Sequence, residues 1–111
     1  MTPLRGEVWL FDLGMAAKVR PVLVVSTRYQ DSDRSLISVV PHTTSLRGSV
    51  HEIALHISFL KPGAFLVQAV ATYPNAGAIR KLGALKPEQF ELVFAGLLRW
   101  LGQASGSPPD Q

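Results

Sequence analysis

The chain contains no cysteine. Disulfide staples, thiolate metal sites and cysteine nucleophiles are therefore excluded together. A reducing cytoplasm is the expected compartment. No apolar stretch is long enough to cross a bilayer, so no membrane partner is expected. The opening MTPLRGEVWLFDLG lacks a cationic segment leading into an apolar core, and no signal peptide is expected. Phosphate loops of the GxxxxGK[ST] type, HExxH and GxSxG are all missing. That argues against P-loop hydrolysis, zinc proteolysis and α/β-hydrolase chemistry. Soft ligands are scarce too: only His42, His51 and His56 are present. His51 and His56 differ by an odd number, which places them on opposite faces of a regular strand. No metal site and no cofactor are expected. Charge is sparse at 17%, with a net +3 and a pI near 9.7. That balance permits a polyanionic partner without demanding one.

What is present is apolar patterning. At 111 residues and 47% hydrophobic, the chain makes one globular domain. The expected domain spans 1–102, followed by a flexible, Pro-rich tail over 103–111. EVWLFDL (7–13) alternates, with Trp9 and Phe11 on one side and Val8 and Leu10 on the other, and predicts a strand. VLVVS (22–26) is apolar on both faces and predicts a central strand that starts at Pro21. LISVVPH (36–42) predicts a third strand stopped by Pro41, and HEIALH (51–56) a more exposed one. AFLVQAVATY (64–73) predicts one long strand, and RKLGAL (80–85) a short one. The period then changes. Phe90, Phe94, Leu97, Leu98 and Leu101 share one helical face, with Pro87 in the first turn and Gly102 as the stop. The expected fold is mostly β with a C-terminal helix, a small SH3-like barrel.

The residues left for chemistry are Arg20, before one strand, and HTTS (42–45), after another. If strands 22–26 and 36–41 are neighbours in a meander, these positions share one end of the sheet. A guanidinium and one or two hydroxyls then converge. Arginine offers planar, permanently charged donors that match phosphate oxygens. A threonine hydroxyl adds a neutral donor. The alternative reading is a solvated charge beside turn-capping hydroxyls.

These residues carry a family likeness. GEVWLFDLG, RPVLVVS, VVP-HT, LVQAVATY, KLGALKPEQFELV and LLRWLG together resemble the MazF/PemK toxin endoribonucleases, from Gly6 to Gly102. The resemblance implies an SH3-like barrel with a C-terminal helix and a homodimer. It implies metal-independent cleavage of single-stranded RNA at short sequences. In that mechanism the 2′-OH attacks phosphorus and leaves a 2′,3′-cyclic phosphate and a 5′-OH. It also implies a cognate antitoxin protein that covers the RNA groove. The arginine of the family's R-P motif corresponds to Arg20, and its threonine after the third strand to Thr43, as the catalytic pair. Thr44, Gln68, Arg28 and Arg47 are the candidate RNA-binding residues.

Three departures stand out. Ala71 occupies the place of an arginine that helps the family bind RNA. The first loop (14–19) is shorter than in many members, and His42 replaces a usually aliphatic residue. Trp9 is expected in the core. Arg80 and Lys81 are expected as a solvated pair or, alternatively, as part of a basic track. Trp100 lies off the helix stripe, open to a dimer or antitoxin contact. Two other classes stay open: a CcdB-type gyrase poison on the same architecture, and a binding module without activity.

Overall fold

The computed structural model describes residues 2–14 and 18–103. The expected tail beyond Gln103 and residues 15–17 of the first loop lie outside them. The elements are β1 (Glu7–Asp12), β2 (Val19–Val24), β3 (Leu36–Thr43), β4 (Glu52–Ala54), β5 (Ala64–Leu66), β6 (Ala71–Pro74), β7 (Ala78–Ala84) and helix α1 (Pro87–Trp100). All strand pairs are antiparallel, in the order β4-β5-β3-β2-β1-β7, with β6 also on β3.

The alternation in β1 has two consequences, because both of its faces are buried. Val8 packs with Leu23, Val40, Phe65 and Val67 beneath α1. Trp9 and Phe11 pack with Val22, Val24, Ile37 and Val39 on the opposite face. Each such side chain contributes about 1.5–3 kcal/mol on burial. The register of β1 against β7 shifts twice, at Val8/Trp9 and at Leu10/Phe11. Irregularities of this kind bend a sheet.

The elements match the expected class, but several boundaries differ. β2 starts at Val19, so Arg20 and Pro21 stand inside the strand. β3 runs through Pro41 to Thr43. Its outer edge pairs with β6 as far as Val39 and with β5 from His42. Pro41 sits at the gap between these two ladders, where a missing N–H breaks no bond. The single long strand expected over 64–73 is interrupted by a 3₁₀ turn at Val67–Ala69. β4 is only three residues long.

Helix α1 begins with Pro87, and Gln89 Oε1 accepts the Lys86 N–H at 2.9 Å. Glu88 in the first turn and Arg99 in the last complement the helix dipole. The buried face is Phe90, Val93, Gly96 and Leu97. Leu101, expected on that face, is 63% exposed. The helix has ended by then, and Gly102 turns the chain away at φ +103°. Among the described residues no helix is long and apolar enough to cross a membrane.

Candidate functional site

Strands β2 and β3 pair Leu23 with Val40 and Val22 with Pro41. Continuing that antiparallel register brings Arg20 alongside Thr43. Arg20 is held on its other side opposite Phe11, and Thr43 opposite Ala64. Adjacent strands therefore carry the guanidinium and the hydroxyl at the same end of the sheet. Both line an open cleft of about 340 Å³, together with Ser45, Leu13, Pro41 and Tyr73.

Arg20 is exposed and Thr43 is half-buried. Thr43 Oγ1 accepts the Ser45 N–H at 3.0 Å, which fixes the hydroxyl. The hydroxyl proton has only a long 3.5 Å contact with the Ser45 carbonyl. The hydroxyl thus caps a turn and still has a proton to give. Farther along the same loop, the Glu52 carboxylate accepts the N–H groups of Arg47, Gly48 and Ser49 at 2.9, 2.9 and 3.1 Å. The Arg47 N–H is the largest influence holding the Glu52 carboxyl below its ordinary range. Burial opposes it, and the two other N–H groups and the Arg47 charge add to it. The loop leaving Thr43 is therefore anchored at both ends.

A second cleft, of about 400 Å³, opens on the other side of Arg20. Arg20 lines it too, with His42, Thr44, Phe59, Lys61 and Arg80. The predicted site residues divide accordingly. Arg20 and Thr43 meet in the first cleft, and Arg20 and Thr44 in the second. Gln68 is exposed on the 3₁₀ turn, and Arg28 is exposed after β2. Arg47 is exposed on the loop that Glu52 ties. None of these three lines either cleft. Ala71 pairs with Val39 and Tyr73 with Ile37, so Ala71 shares the face of the first cleft. Tyr73 was not singled out as a site residue, although alternation from Ala69 puts it on the same side.

Two neighbouring cations part company. Lys81 Nζ lies 3.0 Å from Glu7 Oε2, whereas Arg80 faces the second cleft. Burial alone would raise the Glu7 carboxyl. Bonds from Trp9 Nε1, the Leu4 N–H and Lys81 outweigh it and hold the pKa below 4.5. Trp9 is in the core, with its indole N–H given to Glu7 at 2.9 Å. The Trp100 ring meets His51 edge-on at 5.0 Å. Among the described residues no three His, Asp or Glu side chains gather as a metal site.

His42 is 5% exposed and packs edge-on to Phe65 at 5.1 Å. Burial disfavours the imidazolium and pushes its pKa below 6.5. The unfolded chain therefore takes up this proton more readily than the native state. His42's contribution to stability is intact above the unfolded pKa and is lost as pH falls toward the depressed folded value. Glu7 and Glu52 lose theirs only at lower pH, since both titrate below 4.5. Lowering the pH from about 7.5 to about 5.5 should reduce the urea midpoint of the wild type. The reduction should be smaller in His42→Leu. Equal reductions in both proteins would assign the acid loss to another group.

A family model described as the PemK-like, MazF-like toxin of type II toxin–antitoxin systems matches residues 4–101. No curated protein matches the chain in sequence. Among solved structures, an endoribonuclease in complex with its cognate antitoxin from a mycobacterial species is 25% identical, with a TM-score of 0.78. That match covers 92% of this chain and 97% of the other. A MazE–MazF complex from Deinococcus radiodurans shares the fold at TM-score 0.77 and 20% identity, covering 94% and 99%. The Mycobacterium tuberculosis toxin MazF-mt6 follows at TM-score 0.68 and 21% identity, covering 86% and 95%.

Proposed function

The chain belongs to the PemK-like, MazF-like toxins of type II toxin–antitoxin systems, and from that premise we propose that it is an endoribonuclease cutting single-stranded RNA at short sequences. The observation that carries this reading is the meeting of Arg20 and Thr43 in one open cleft. In the proposed reaction the 2′-oxygen loses its proton and attacks the adjacent phosphorus. The bond from phosphorus to the 5′-oxygen breaks, and that oxygen takes up a proton. The products are a 2′,3′-cyclic phosphate and a 5′-OH. The Arg20 guanidinium holds the phosphate and offsets the charge that builds on it. The Thr43 hydroxyl donates to a phosphate oxygen from its fixed position. The nucleophile belongs to the substrate and Arg20 offsets the charge on the phosphate, so this reading requires no metal.

Incubating purified protein with a long RNA in EDTA tests the proposal. Fragments should carry 5′-OH and cyclic phosphate ends. Intact RNA would overturn the endoribonuclease reading, and cleavage that EDTA stops would overturn the metal-independent chemistry. Thr43→Ala should slow cleavage about 10-fold, the lower end for a hydrogen bond to a charged group. Thr43→Ser should recover most of that rate, because it keeps the hydroxyl and the turn bond. A serine variant as slow as the alanine variant would remove the hydroxyl from the mechanism.

The natural partner in this reading is a cognate antitoxin, as in the mycobacterial complex. A homodimer is also part of it. Leu46, Val50, Leu92 and Leu101 remain exposed, and a symmetric dimer is the common way to cover such surface. Light scattering at micromolar concentration should give twice the chain mass; a single-chain mass would count against the dimer.

A further inference from the structure

The two clefts lie on opposite faces of one sheet end. Arg80 pairs with Leu10, and Leu10 with Pro21. Continuing the β2–β3 register places His42 next in that row. Leu10 alternates with Phe11 and so shares the face of Val8, the face that α1 covers. Arg20 pairs with Phe11, one residue further along, on the face of the first cleft. Arg20 lines both clefts and is the junction between them.

Their chemistry differs. Arg20 is the one cation among the residues lining the first cleft. The second has Arg20, Lys61 and Arg80, and no carboxylate lines it among the described residues. For a chain of net charge +3, this is a marked local concentration. Lys81 is tied to Glu7, which leaves Arg80 as the cation of that pair facing the cleft. An aromatic ring stands among these cations. Phe59 is 37% exposed although it sits in a loop. Its ring is seated on Gly83, where a Cβ would lie 2.6 Å from ring carbons. The absence of a side chain at Gly83 lets the ring lie against the strand and keeps it in place.

We propose that the second cleft is a binding track for the RNA that flanks the scissile phosphate, with Lys61 and Arg80 on successive phosphates and Phe59 as a base-stacking platform. The proposal rests on the endoribonuclease reading and extends it. The strand would bend around the sheet end at Arg20, with the reacting nucleotide on one face and its neighbours on the other. Cations interleaved with an exposed aromatic ring suit a single strand, whose bases are free to stack. A peptide carrying only acidic side chains would use the cations and leave Phe59 without a role, and loss of antitoxin binding in the test below is the outcome that would favour a peptide.

The test uses the full chain and its Lys61→Ala/Arg80→Ala double variant. Both residues are exposed, so the variant should fold normally. Binding is measured with a 2′-O-methyl RNA long enough to occupy both clefts, which cannot be cut by 2′-OH attack. The slope of log K against log salt should fall by about 1.4 in the variant, at roughly 0.7 per lost phosphate contact. Phe59→Ala should weaken binding roughly 5-fold or more with the slope unchanged, as expected for a lost stacking contact. Cleavage of a dinucleotide that holds only the scissile phosphate, and so cannot reach the second cleft, should match wild type in both variants. An unaltered slope in the double variant overturns the track. So does equal loss of cleavage on the dinucleotide and on long RNA, or loss of antitoxin binding with RNA binding intact. If the wild type cuts no RNA, the endoribonuclease reading fails by itself, and the binding slope still decides whether the cleft holds phosphates.

Discussion

Arg20→Ala should reduce RNA cleavage by about 100-fold or more, the usual effect of removing a preorganised donor from a developing charge. Arg20 stands near the start of β2, opposite Phe11, so its backbone position is set by a sheet that is buried on both faces. Arg20 is exposed. Its removal should therefore cost little stability, since exposed charges contribute about 0–1 kcal/mol. The expected result is a protein with near wild-type melting and almost no cleavage. Arg20→Lys should fall between the two, because an ammonium keeps the charge and loses the planar fork. An alanine variant that cuts RNA at the wild-type rate would remove Arg20 from the mechanism. One that melts far below wild type would show that the residue holds the sheet end together.

A substitution with no chemistry of its own should also have a large effect. A Cβ placed on Gly63 would lie 2.2 Å from the Thr43 carbonyl oxygen and 2.8 Å from His42 Cε1. The first of these atoms is backbone and cannot swing aside. Gly63→Ala must therefore push β5 away from β3 at the Thr43–Ala64 pair. Overpacking of this kind costs about 1–3 kcal/mol, enough to lower Tm by about 4 °C or more. The displacement falls on Thr43, and misplacing a catalytic group by about 1 Å can cost 100-fold in rate. Stability and cleavage should thus fall together, in contrast to Arg20→Ala. Lys61→Ala, two residues away and exposed, should stay within about 0.5 kcal/mol of wild type in stability. A Gly63→Ala protein that melts and cuts like wild type would mean that the β3–β5 junction yields freely.

Local pattern by itself determined most of the strands, the helix and the likeness to the toxin family, but not the 3₁₀ break at Val67–Ala69. Period-two alternation in EVWLFDL and the helical spacing after Pro87 depend only on neighbouring residues, and backbone geometry turns them directly into faces. The same logic singled out Arg20 and the HTTS stretch (42–45), given that the two strands are neighbours, while the choice of Thr43 within that stretch came from the family likeness. That logic failed where the outcome depends on partners distant in sequence. Pro41 should stop a strand, yet β3 passes through it, because β6 and β5 take up its outer edge on either side. Leu101 continues the helical spacing, yet it is exposed, because the helix has ended and only Phe90, Val93, Gly96 and Leu97 meet the sheet. Arg80 and Lys81 are adjacent cations in the sequence. Only the pairing of β7 with β1 gives Lys81 to Glu7 and leaves Arg80 to the second cleft. Which charges converge is a property of register between strands, and register is settled by burying both faces of the sheet at once.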